Sequence, residues 1–174
     1  MKTKFLALII FFTFNSLAFG QESTKKDIYD IIRIVINDVN PNIPILDTLT
    51  STIYFENEFH RNQIEIKINL NKKQKKILKK GNKKDIGMLL NRQHLSEFKF
   101  YDNHLIYNTS TKNELLENIK KIRPFYWLSK PIIFSELNIA IMDMNMVGGG
   151  GCIFILKKEE GKWIIIERIG TWYG

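Results

Sequence analysis

The chain has 174 residues, 26 Lys and Arg against 18 Asp and Glu, a formal net charge of +8 and a single cysteine, Cys152. No intrachain disulfide can form, so a disulfide-built extracellular module is excluded and stability must come from apolar burial. The positive balance is local: eight of the lysines lie between Lys72 and Lys84, so the overall charge says little about the rest of the molecule.

Residues 1–20 read as a secretory signal. Lys2 and Lys4 supply a positive start, Phe5 to Phe14 an apolar run broken by Thr13, and Ala18-Phe19-Gly20 a small-x-small site ahead of Gln21. The run is too short to span a bilayer as a mature helix of about 20 apolar residues. Gln21 stands where a lipoprotein signal would need cysteine, which argues against a lipid anchor. The expectation is export, to the periplasm or the exterior, after cleavage near Gly20/Gln21. Residues 21–174 then form one domain carrying 24 basic and 18 acidic residues, with no transmembrane segment.

The first expected element is a helix with Thr24 as N-cap and Asp27 in its first turn, followed by Ile28, Ile31, Ile32, Val35, Ile36 and Val39 at helical spacing. Asn40-Pro41-Asn42 and Pro44 end it. Thr50 to Phe59 suggests a strand, and Ile64, Ile66, Ile68 and Leu70 alternate with Glu65, Lys67 and Asn69 as in a second, joined to the first as a hairpin through His60 to Asn62. The lysine-rich stretch follows, then a short helix from Asp85 to Leu95. A capping box, Thr111-Lys112-Asn113-Glu114, opens a helix with Leu115, Leu116, Ile119 and Ile122 on its apolar stripe.

The final forty residues are the most regular. Ile132 to Phe134 forms a short strand. In 139–147, Ala140, Met142, Met144 and Met146 alternate with Ile139, Ile141, Asp143 and Asn145. Gly148 to Gly151 turns the chain into Cys152 to Lys157, and Glu159-Glu160-Gly161 turns it into Lys162 to Thr171. Connections this short demand antiparallel pairing. The fold class is α+β: an N-terminal helix, short helices, and an antiparallel sheet ending in a C-terminal meander.

The pattern Ser129-Lys130-Pro131-Ile132-Ile133-Phe134-Ser135, a glycine tract, Gly161-Lys162-Trp163 and a closing Trp172 resembles the C-terminal region of small exported bacterial proteins of unknown function. Gly161-Lys162-Trp163 and its flanking strands are also similar to the α+β fold of polyketide cyclases and nuclear transport factor relatives. The resemblance implies a shared sheet and no activity, since no catalytic Asp-His arrangement matches.

The strongest candidate site is the lysine cluster Lys72, Lys73, Lys76, Lys79, Lys80 and Lys83, with Lys75 and Lys84 beside them. A helix of this composition would be positive over most of its surface and suited to a phosphate-bearing partner, such as an anionic envelope component. The absence of interleaved aromatic residues argues against nucleic acid. The plain alternative is a solvated surface. Gly148 to Gly151 leads into a strand and reads as a hairpin connection rather than a phosphate cradle. Cys152 reads as a small core hydrophobe, and His60, His94 and His104 form no recognisable metal or catalytic spacing, so neither metal nor cofactor is expected. Glu56 with Glu58, and Asp143 with Glu167, are carboxylate pairs on paper, Asp143 being expected on a sheet face that emerges to solvent. Trp163, in phase with Ile165, reads as core, whereas Tyr126-Trp127 and Trp172-Tyr173 could offer flat faces to a sugar or lipid. The function expected is a non-catalytic binding or interaction module, its partner an anionic envelope component or another protein. The alternative is a small hydrolase or cyclase-like enzyme with a pocket between helices and sheet.

Overall fold

The computed structural model describes residues 25–50, 57–81, 88–102, 117, 121 and 124–172. The segment read as a secretory signal, Thr24, Lys83, His104 and almost all of the helix expected over 111–122 lie outside them, although Glu117 and Lys121 are helical.

Helix α1 occupies residues 25–39. It buries Ile28, Tyr29, Ile31, Ile32, Val35 and Ile36, the face its spacing marks, but Val39, expected on the same stripe, is exposed at the end of the helix. The sheet has strands β1 (Ile45–Leu46), β2 (Phe100–Tyr101), β3 (Phe125–Leu128), β4 (Ile132–Phe134), β5 (Ile139–Val147), β6 (Gly151–Glu159) and β7 (Lys162–Trp172). Their order is β2-β1-β3-β5-β6-β7, with β4 also on β5. From β3 onward all pairing is antiparallel, and β5, β6 and β7 form the expected meander. The two-residue strand β1 is parallel to both β2 and β3, which makes the sheet mixed at that end.

The sheet is covered on both faces. On one face Tyr126, Leu128, Ala140, Met142, Met144, Phe154, Leu156 and Trp163 pack with α1. On the other, Ile132, Phe134, Ile139, Ile141, Ile153 and Ile155 pack with Ile64, Ile68, Leu70 and Leu78 of a helical layer. Three one-residue slips accompany this arrangement. β3 and β4 run along the same edge of β5, but Phe125 pairs with Val147 and Leu128 with Met144, whereas Ile132 pairs with Ile141 and Phe134 with Ile139. The extra residue lies in Ser129-Lys130-Pro131 and sends Ile132 and Phe134 to the face opposite Tyr126 and Leu128. Ser129 holds the interruption together: its N–H donates to Asp143 O (2.9 Å) and its Oγ accepts the Asp143 N–H (2.9 Å). The other two are in β7: Leu156 pairs with Ile165 but Ile155 with Glu167, leaving Ile166 as a bulged residue, and Cys152 pairs with Gly170 but Gly151 with Trp172.

The layer on the second face holds helices α2 (Glu58–Lys67) and α3 (Lys72–Lys80). Helix α2 overturns the expected strand at Gln63 to Leu70 and the hairpin with it. Asn57 caps α2 by accepting the Phe59 N–H (2.9 Å), Glu58 complements its N-terminus and Lys67 its C-terminus. His60, Ile64 and Ile68, four residues apart, face the sheet, while Ile66 points to solvent. Of the strand expected over 50–59, residues 51–56 lie outside the described region, Thr50 makes a lone parallel bridge to Ser129, and Glu58 and Phe59 are helical. Of the helix expected over 85–95, only the 3-10 turn Arg92–Leu95 forms within the described residues, and Leu89 bridges Thr48.

The meander's two turns match their sequences. Glu160 (φ 49°) and Gly161 (φ 81°) both take positive φ, the requirement of a two-residue hairpin turn that follows the twist of its strands. Gly148 (φ 88°) opens the tract between β5 and β6, where the Gly149 N–H donates to Met146 O (3.0 Å) and the Met146 N–H to Gly150 O (2.9 Å). The tract is thus a hairpin connection, as its neighbours imply.

Candidate anion-binding surface

Helix α3 is built around a capping box. Asn71 Oδ1 accepts the Gln74 N–H (3.0 Å), and Gln74 Oε1 accepts the Asn71 N–H (2.8 Å). Gly81 closes the helix at φ 56°, donating its N–H to Ile77 O and Leu78 O. Only Gln74 and Leu78 are buried. Leu78 enters the sheet–helix core, and Gln74 Nε2 donates to Glu136 Oε1 (2.8 Å) just beyond β4.

With that side turned inward, all six lysines of the helix are exposed. At about 100° per residue, Lys79, Lys72, Lys76, Lys80 and Lys73 fall within an arc of about 120°. Lys75 lies about 40° beyond Lys79 at the edge of that arc and pairs with Glu65 of α2 (2.6 Å); among the described residues it is the only one of the six in an ion pair. Glu136 lies near Lys73, and its carboxyl is held below the ordinary glutamate range by the Gln74 hydrogen bond first, then by its own backbone and Lys73. Lys83 lies outside the described residues.

This charge arrangement works against the helix that carries it. Lys72–Lys76, Lys75–Lys79 and Lys76–Lys80 are like-charged pairs at i,i+4, and Lys72–Lys75, Lys73–Lys76 and Lys76–Lys79 at i,i+3, each costing about 0.2–0.5 kcal/mol. The first turn has no acidic residue to complement the helix dipole. A polyanion laid along the arc would relieve both effects.

Of the other candidates, those among the described residues are placed as follows. Asp143 does not emerge to solvent: it is 1% exposed, on the face of β5 whose Ile139 and Ile141 are also buried. Asp143 pairs with Ile153 and Glu167 with Ile155, so the two carboxylates lie on either side of β6, about 10 Å apart or more by strand spacing. Glu167 binds Lys67 (2.8 Å), which lowers its carboxyl pKa. Glu58 is helical and Glu56 is outside the described residues, so no strand face holds that pair.

Tyr126 is buried and its phenol pKa is raised by that burial. Trp127 packs edge-on against Phe125 at 5.8 Å. Trp163 is core, as its phase implies. The side chains of Trp172 and Tyr173 lie outside the description. His60 is buried on α2, and His94 packs on the Tyr29 ring at 4.6 Å. Cys152 packs against the core on the α1 side of the sheet, whereas α2, which carries His60, covers the other side, and among the described residues no His, Cys, Asp or Glu group has the arrangement of a metal site.

Burial raises the Cys152 thiol to about 11. At pH 8 roughly a thousandth of it is ionised, against roughly a quarter of an unperturbed cysteine. Alkylation by iodoacetamide is therefore expected to be slow at pH 8 and to accelerate toward pH 11; a rate at pH 8 equal to that of free cysteine would contradict this.

One constellation had no sequence signal. Arg92 binds Asp47 (2.8 Å) and Asp102, at the carboxyl ends of β1 and β2, with its guanidinium 5.5 Å from the Phe100 ring centroid. The partners lie 45 and 10 residues from Arg92, and no local spacing links them. It ties the short parallel strands to the 3-10 turn.

Comparison of the chain with protein families, curated proteins and solved structures finds no match.

Proposed function

We propose that the protein is an exported, non-catalytic binding module that engages a phosphate-bearing polyanion of the cell envelope through the lysine face of α3. The observation that carries this reading is the arc of five exposed lysines, none in an ion pair among the described residues and only Lys73 near a carboxylate, that of Glu136, on a helix anchored by its opposite side. Such a surface gains Coulomb energy and releases counterions on meeting dense phosphate. The alternative is a small hydrolase or cyclase-like enzyme using Asp143, a histidine or Cys152 in a pocket; the 1% exposure of Asp143 weighs against that carboxylate reaching a substrate.

The test is retention on heparin and on anionic vesicles. Substituting Lys72, Lys76, Lys79 and Lys80 by Gln should weaken binding by about a thousandfold, at about 1 kcal/mol per lysine near an anionic surface. Wild-type retention should also fall as salt rises. Replacing the exposed Lys25, Lys26, Lys99 and Lys162 removes the same charge elsewhere and should change retention far less. Equal loss from both sets would mean that net charge, not this face, is responsible; no loss from the first set would remove the reading.

A further inference from the structure

Helix α2 carries a second unusual feature beside the lysine face. Ile66 is 75% exposed, more than any other large apolar residue among those described, and Phe59 is 62% exposed. Seven residues apart, they lie within about 20° of each other on the helix. His60 and Ile64 fix the opposite side of α2 against the sheet, just as Gln74 and Leu78 fix α3. The two helices cover the same sheet face and are tied together by Lys75 and Glu65. One outer layer therefore presents an apolar ridge on α2 next to a cationic ridge on α3.

Building on the polyanion reading, we propose that the occupant of this layer is an anionic lipid bilayer. The lysines of α3 meet the phosphate headgroups while Phe59 and Ile66 enter the boundary between headgroup and acyl chain. A soluble polyanion matches the charge but offers nothing to an exposed isoleucine and phenylalanine, whereas a bilayer offers both chemistries in adjacent strata. Apolar side chains beside a basic face on a surface helix are the physical requirement for lying in a membrane interface.

The experiment is co-sedimentation with phosphatidylcholine vesicles containing phosphatidylglycerol, run in parallel with heparin chromatography. The double variant Phe59→Ser, Ile66→Ser alters only exposed positions and should retain the wild-type melting temperature. It should lose about tenfold or more of its vesicle binding, with heparin retention unchanged. The lysine variant should lose both. In an Ile66→Trp variant, tryptophan emission should shift to the blue on adding these vesicles. Unchanged vesicle binding by the double variant, or no spectral shift, overturns the bilayer proposal while the polyanion reading stands. If the lysine variant binds vesicles and heparin like wild type, both fall together.

Discussion

Replacing Trp163 with alanine is expected to lower the unfolding free energy by about 3–5 kcal/mol, read by chemical denaturation. The indole fills the core between α1 and the β6–β7 hairpin, so truncation leaves a cavity that rigid strands and a packed helix can only partly close. Its loss also touches electrostatics. Nε1 donates to Asp27 Oδ1 (3.0 Å), the same oxygen that receives Lys158 Nζ (2.7 Å), and the Lys158 ammonium sits 5.4 Å from the ring centroid. Trp163→Phe separates the contributions. It keeps most of the packing and the ring face, and Asp27 keeps Lys158, so the expected cost is nearer one hydrogen bond, about 0.5–1.5 kcal/mol. An alanine variant that unfolds at the wild-type midpoint would refute the packing described for this face.

The second large effect is expected at Leu78. Leu78→Ala should cost about 2–5 kcal/mol, and its signature should be local. Leu78 is the only apolar side chain that α3 buries, and the helix already bears the repulsion of its own lysines. Hydrogen exchange should therefore accelerate in α3 well before it does in β5 and β6. Ile77→Ala is the control: that side chain is 41% exposed and its truncation should stay within about 0.5 kcal/mol. Equal exchange in α3 for Leu78→Ala and wild type would mean that something other than this contact holds the helix down.

Where one periodicity stood alone, the fold could be read from the sequence. The stripe from Ile28 to Ile36 fits only a helix, and the alternation from Ile139 to Val147, bounded by glycine, fits only a strand. Gln63 to Leu70 failed because two periods coexist there. Ile64, Ile66, Ile68 and Leu70 recur at two, yet His60, Ile64 and Ile68 recur at four, and the caps at Asn57, Glu58 and Lys67 decide for the helix. The counter-signal was present in Asn57 and in the placement of His60. The register slips at Ser129-Lys130-Pro131 and at Ile166 were less accessible, since each depends on pairing with another strand. For the same reason Asp143 read as solvent-facing: its burial depends on tertiary packing that no local spacing reveals. The lysine cluster was visible as composition. What needed coordinates was its anchoring, by Gln74 and Leu78, and its neighbour, the apolar ridge on α2.

Asp27 joins Lys158 and Trp163 across 131 and 136 residues. A chain made from its N-terminus onward thus displays the greasy stripe of α1 first and completes the strands that shelter it last. Until the closing hairpin is synthesised, Phe154, Leu156 and Trp163 are not available to it. Assembly must wait on contacts of long sequence separation, which slows folding and prolongs the interval in which an uncovered amphipathic helix can adhere to the wrong neighbour.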